Sequence, residues 1–150
     1  MLSPVPIFRV HAELADIVNV GPTPAGERRI INILGGRVEG PQFEGRILPG
    51  GADFQLIRSD GVADIRARYT IETPEGARVF VTSDGLRHGP ADVMARLARG
   101  EPVDPSQYYF RTLMRFEASD PSLDWLNRIL ALARGVREPN AVRLEVFEVL

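Results

Sequence analysis

Apolar and polar residues alternate with a period of two through Phe8-Arg9-Val10-His11-Ala12-Glu13-Leu14, the pattern of a half-buried strand whose side chains point to opposite faces in turn. After the turn residues GPTPAG, short strands are predicted at Arg29 to Leu34, around Val38 beyond Gly35-Gly36, at Ile47-Leu48 after GPQFEG, and at Phe54 to Arg58. Glycines at these breaks allow a strand to bend, as at a barrel corner. Val62 to Thr73 and Ala77 to Thr82 flank Pro74-Glu75-Gly76 and predict a hairpin. Pro90 to Arg99 reads as helical, with Val93, Met94 and Leu97 at helical spacing and Gly100 where a helix stops. Tyr108 to Ala118 alternates again, ASDPSLDW reads as a turn, and Leu126 to Val136 and Val142 to Val149 are the last predicted strands. With no long helix to cover a sheet face, the pattern predicts an all-β fold. The preferred form is a single antiparallel β-barrel of roughly eight to ten strands with one short helix near residues 90–99, and a sandwich is the alternative.

Composition narrows the chemistry. At 150 residues the chain is expected to form one domain over residues 1–150. Its hydrophobic fraction of 44% and charged fraction of 25% match a chain that folds. A net charge of -2 without a basic run argues against a nucleic-acid partner. The longest apolar run, Ile129 to Ala133, is too short for a membrane span, and the N-terminus MLSPVPIF lacks the features of a secretory signal, so a cytoplasmic protein is expected. Absence of cysteine excludes disulfides, thiolate nucleophiles, iron–sulfur clusters and cysteine zinc sites. All 18 basic residues are arginine, so Schiff-base chemistry lacks its amine. Neither a phosphate-binding loop nor a dinucleotide fingerprint occurs, and His11 and His88 have no second ligand at metal spacing, so no cofactor and no metal are expected.

Two predicted strands carry the candidate chemistry. From Val62 to Thr73, Asp64, Arg66, Arg68, Thr70 and Glu72 share one face and Ala63, Ile65, Ala67, Tyr69 and Ile71 the other. The charged row is either solvated surface, where ion pairs are weak, or the wall of a polar lumen in which Asp64 and Arg68 hold a substrate. In the other strand, Tyr109 and Arg111 share a face and together could steady charge forming on an oxygen. Asp53, just after Gly50-Gly51, is placed as a rim carboxylate able to act as general base, or as the cap of its own turn. His88, at the entrance to the helix, is a candidate for proton transfer. Trp125, the single tryptophan, is a buried anchor or a stacking platform.

GPTPAGERR, the GG pair with GPQFEG, LPGGADFQL, TPEGA, DPSQYYFRT and DWLN together resemble uncharacterised protein family 0311, also called domain of unknown function 3237, over nearly the whole chain. The resemblance implies a small β-barrel. Carried over residue by residue, it marks Asp53 within GGAD, Tyr109 and Arg111 within YYFR, and Asn127 within WLN. The family pattern often has Trp where this chain has Phe54, a change to one wall of a cavity. In architecture the family resembles allene oxide cyclase and dirigent proteins, which steer ring closures.

The expected function is therefore a cofactor-independent, cyclase-like lyase or isomerase acting on a small carbonyl or phenolic metabolite in the barrel. Asp53 is the expected base, Arg68, Tyr109 and Arg111 the groups that position the substrate, and Phe54, Asp64, His88, Trp125 and Asn127 further ligand contacts. The alternatives are a binding barrel without catalysis and a homo-oligomeric module without a pocket. A small-molecule ligand and a homodimer or other homo-oligomer are the expected partners, with no nucleic acid and no membrane.

Overall fold

The computed structural model describes residues 1–150. Nine strands form one sheet: β1 (Phe8–Thr23), β2 (Gly26–Glu39), β3 (Gly45–Ile47), β4 (Gly51–Ile57), β5 (Ala63–Glu72), β6 (Arg78–His88), β7 (Tyr109–Ala118), β8 (Ala131–Glu138) and β9 (Ala141–Glu148). Every pairing is antiparallel, in the circular order β1-β9-β8-β7-β6-β5, then β3 and β4 end to end along one position, then β2, which returns to β1. β3 bridges Gly36–Val38 of β2 to Ile71 and Glu72 of β5, while β4 bridges the other half of the same two strands. The sheet is thus a closed antiparallel barrel of eight positions filled by nine strands. At that circumference the lumen is just wide enough to be filled by side chains or to hold one small ligand.

Strand phase decides what lies inside. The apolar face of β5 points inward, burying Ala63, Ile65, Tyr69 and Ile71 and leaving the charged row outside. One end is plugged: Phe8 meets Phe43 and Phe116 edge to face at 5.4 and 5.6 Å between ring centres, with Val38, Ile47, Val79, Val81, Met114 and Val146 packed around them. A short 3-10 helix, Pro121–Arg128, covers this end. Asp120 caps it by accepting from the Ser122 amide, and Leu123 and Leu126 are buried beneath it. This corrects the sequence reading at two places: ASDPSLDW is not a simple turn, and Leu126 to Arg128 belong to the helix, so the next strand starts only at Ala131.

The opposite end is the mouth. Helix α1 (Ala91–Ala98) lies there, close to the predicted bounds, and buries Val93 while Met94 and Leu97 pack against the core. No helix of the chain is long and apolar enough to cross a membrane. β1 is far longer than its alternating segment predicted. It pairs with β9 only from Phe8 to Glu13, and the Leu14 amide adds one bond to the Asn140 carbonyl; from there β1 is a free edge held only by β2, whose Glu27–Ile33 stretch pairs with β4 on its other side, and Ile17, Val18 and Val20 are exposed. β2 runs unbroken through Gly35-Gly36. A Cβ on Gly36 would lie 2.0 Å from the His11 carbonyl oxygen at a φ of +140°, so only glycine lets β1 and β2 cross this bulge.

Candidate functional site

Three strands turn polar on their inward face as they reach the mouth. Along β6 the inward series Val79, Val81, Ser83 and Gly85 ends in Arg87, and along β8 Ala131, Ala133 and Gly135 end in Arg137. β4 contributes Asp53 and Gln55. These four residues border a lumen cavity of about 60 Å³ whose other walls include Ile33, Ile65, Tyr69, Ser83, Phe110, Thr112 and Leu144. Above it, Arg87, Arg137 and Gln55 also border a mouth cleft of about 470 Å³ under α1, where Ile17, Ile57, Met94 and Leu97 supply apolar surface and Arg29 a third guanidinium. The cleft falls within the range of small-molecule sites, whereas the lumen beneath it holds only a few atoms.

The charge balance of this mouth is unusual. No residue bordering the cleft is acidic, in a chain whose net charge is -2. Arg29 pairs with Glu27 at 3.8 Å, but none of the chain's ion pairs involves Arg87 or Arg137. Arg87 instead lies over the Phe110 ring, 5.5 Å from its centre, a contact that tolerates a cation without neutralising it. Arg137 donates to the Glu138 carbonyl at 2.8 Å, and its backbone amide donates to the Tyr108 hydroxyl at 3.0 Å. Burial, and then the like charge of Arg137, push the Arg87 guanidinium down to about 10, so it is still charged at neutral pH. Burial lowers Arg137 as well. An outer-face depression of about 400 Å³ makes the contrast plain: its Arg9, Arg37, Arg134 and Arg143 all pair with glutamates.

Asp53 is the carboxylate of the site. Its Oδ1 accepts the Arg66 amide at 2.9 Å and its Oδ2 accepts Gln55 Nε2 at 3.0 Å. Each oxygen keeps a free lone pair. Burial raises Asp53 above the usual carboxylate range, while these two hydrogen bonds and the charge of Arg87 pull it back in part. Three buried polar atoms of residues that line the lumen have no partner: Tyr69 Oη, Thr112 Oγ1 and Gln55 Oε1.

Of the residues singled out in the sequence, the structure brings only Asp53 into the lumen. The expectation that Arg68 and Arg111 share its wall is corrected, because both belong to the outward phase of their strands. Arg68 pairs with Asp84 at 2.7 Å on the outer face, and Asp64 pairs there with Arg66 at 3.4 Å. Tyr109 lies outside, stacked nearly parallel on the His88 ring 5.0 Å away and with the Arg111 guanidinium 5.4 Å from its ring centre. Phe54 is 44% exposed on the outside of β4. Trp125 packs against the plugged end, and Asn127 ties the short helix to β7 by exchanging hydrogen bonds of 2.8 Å with both the Ala118 amide and its carbonyl. Arg87, Arg137, Gln55, Tyr69 and Thr112 were missed as site residues. Strand phase was the available signal, since Arg87 and Arg137 each stand two residues beyond a glycine on the buried face.

The fold and site define a class: a small closed antiparallel barrel with a cationic mouth above a nearly filled lumen. The family model described as a protein of unknown function, DUF3237, matches residues 2–149, and the chain belongs to that family. It is similar to a UPF0311 protein of Rhodopseudomonas palustris, with 42% identity over 144 residues, 96% of this chain and 94% of the relative. The crystal structure of a Rhodopseudomonas palustris protein of unknown function superposes with a TM-score of 0.93 at 41% identity, covering 100% of this chain and 98% of that one. A β-barrel-like protein of Acinetobacter baumannii superposes with a TM-score of 0.85 at 39% identity, covering 99% and 96%. A structure described as an enzyme from Penicillium herquei shares the fold, with a TM-score of 0.69 at 20% identity over 99% of this chain and 98% of that one.

Proposed function

We propose that the mouth binds a small anionic carbonyl or phenolic metabolite and that Asp53 moves a proton on it, a lyase or isomerase reaction of the cyclase-like kind. The observation that carries this reading is the pair of half-buried guanidiniums, Arg87 and Arg137, without ion-pair partners beside a desolvated carboxylate. Buried charges are ordinarily paired. An anionic ligand supplies what these two lack, and apolar surface from Ile57, Met94 and Leu97 receives its body.

Chemically, Asp53 takes a proton from an atom next to the carbonyl or from a phenol, the electron pair moves onto the oxygen, and the proton returns at the same or a second atom. Atoms and electrons balance without an added reactant. A raised pKa makes Asp53 a stronger base than an ordinary carboxylate, and its acid form can return the proton.

The test uses 4-oxopentanoate in D2O, following loss of the proton signals beside its ketone by NMR. Wild type is expected to speed the exchange. Asp53→Asn keeps Oδ1 for the Arg66 amide, and Gln55 can turn its free oxygen toward the new amide group, so this variant should fold. Its exchange rate should drop by about 10²- to 10⁴-fold, the range of a positioned acid–base group. Equal rates in the two proteins would sink the role of Asp53. Binding without exchange in either would leave a non-catalytic binding barrel.

A further inference from the structure

We propose that the mouth takes a dicarboxylate held at both ends, with Arg87 and Arg137 on one carboxylate and Arg29 on the other, across the barrel opening. The inference rests on the mouth reading above and adds a second anionic group to its ligand.

Strand order places the three guanidiniums. Of the eight positions around the barrel, β6 and β8 lie two apart with β7 between them, so Arg87 and Arg137 form one cationic pole. β2 lies three positions from β6, by way of β5 and the position that β3 and β4 share, and three from β8, by way of β1 and β9. On β2, Arg29 shares the inward phase of the buried Ile31 and Ile33, between Asn19 of β1 and Gln55 of β4. It therefore faces the other two from the opposite wall, and all three border the same cleft of about 470 Å³. Ile17 and Ile57 from the strands beside β2, and Met94 and Leu97 from α1, supply apolar surface between the poles. A ligand laid across the opening meets cations at its two ends and hydrocarbon along its length.

Charge asks for the second carboxylate. No acidic residue borders the cleft, so a ligand with one carboxylate, held by Arg87 and Arg137, leaves the guanidinium on the far wall unanswered. The ion pair that Arg29 has is a weak one: Glu27 stands 3.8 Å away, the two side chains are 30% and 37% exposed, and Glu27 itself does not border the cleft. A carboxylate presented from the cleft can instead accept two parallel N–H groups of the guanidinium fork in a less solvated place. Burial and the charge of Arg137 lower the Arg87 guanidinium, and the charge of Arg29 adds to the same repulsion from across the mouth. A dianion relieves that repulsion at both poles, whereas a single carboxylate relieves it at one.

The experiment is isothermal titration at fixed ionic strength with benzoate, benzene-1,2-dicarboxylate, benzene-1,4-dicarboxylate, 2-naphthoate and naphthalene-2,6-dicarboxylate, on wild type, Arg29→Gln and Glu27→Gln. Wild type should bind at least one of the 1,4- and 2,6-dicarboxylates about tenfold or more tighter than the matching monocarboxylate, the worth of a charged hydrogen bond. Benzene-1,2-dicarboxylate has the same charge with both groups at one end, and it should lack that advantage over benzoate. Arg29→Gln should erase the advantage of the long dicarboxylates. Because it removes only an exposed ion pair, its melting temperature should move by no more than a few degrees. Glu27→Gln frees Arg29 and should enlarge the advantage. If monocarboxylates bind but the 1,2-dicarboxylate gains as much as the long ones, or Arg29→Gln keeps the full advantage, the second pole is overturned while the mouth reading stands. If none of the five acids binds wild type, the mouth reading fails and this inference falls with it.

Discussion

Arg87 shows what a single side chain can report. A guanidinium taken partly out of water with no salt-bridge partner raises the free energy of the folded chain, and the ring of Phe110 and the charge of Asp53, beyond salt-bridge contact, return only part of that loss. Arg87→Gln is therefore expected to stabilise the free protein by about 1 kcal/mol, seen in urea unfolding, while benzoate titration loses most of its affinity. The outward Arg68→Ala is the opposite case. Its pair with Asp84 is exposed, so stability should fall by less than about 1 kcal/mol and benzoate affinity should not change. Asp53 adds a pH signature. Because burial raises its folded pKa above that of the unfolded chain, the folded state holds the proton more tightly, and ionisation destabilises it. Wild type should lose stability relative to Asp53→Asn as pH rises from the ordinary aspartate range through the raised value, with no further divergence above it. Curves that stay parallel would show that Asp53 is not desolvated.

Legibility in the sequence is best judged element by element. The hairpin of β5 and β6, helix α1 and strand β7 were readable because period-two or helical spacing is uninterrupted between clear turns. The site was harder to read. The richest polar rows, Asp64-Arg66-Arg68 and Tyr109-Arg111, attracted the functional reading, yet an eight-position barrel this narrow must turn its apolar face inward and give such rows to solvent. Only where a strand leaves the packed layers can its inward phase become polar, and that is where Arg87, Arg137, Asp53 and Gln55 lie. Asp53 was found because a glycine pair precedes it. Glycine also sets the site from β8: a Cβ on Gly135 would stand 2.7 Å from the Phe110 ring, the ring on which Arg87 rests. Gly135→Ala should destabilise by about 1–3 kcal/mol and weaken benzoate binding together, as overpacking shifts the ring. A variant with normal binding would show that Arg87 does not depend on that ring.

At the scale of the molecule, closure removes sheet edges almost everywhere, which suits a chain with no disulfide and no lysine to guard an edge. One exception is the part of β1 beyond Leu14. Between Phe8 and Glu13 its backbone is hydrogen-bonded on both sides, to β2 and β9, whereas beyond Leu14 only β2 is left. One covalently continuous strand therefore spans two regimes of motion. In deuterium exchange its lower half should open only with global unfolding, while the Ile17–Val20 amides that do not bond to β2 should exchange orders of magnitude faster under the same conditions. Because Ile17 and Asn19 also border the cleft, a stretch of backbone held on one side only forms one lip of the entrance, and its opening would set how fast a ligand enters and leaves.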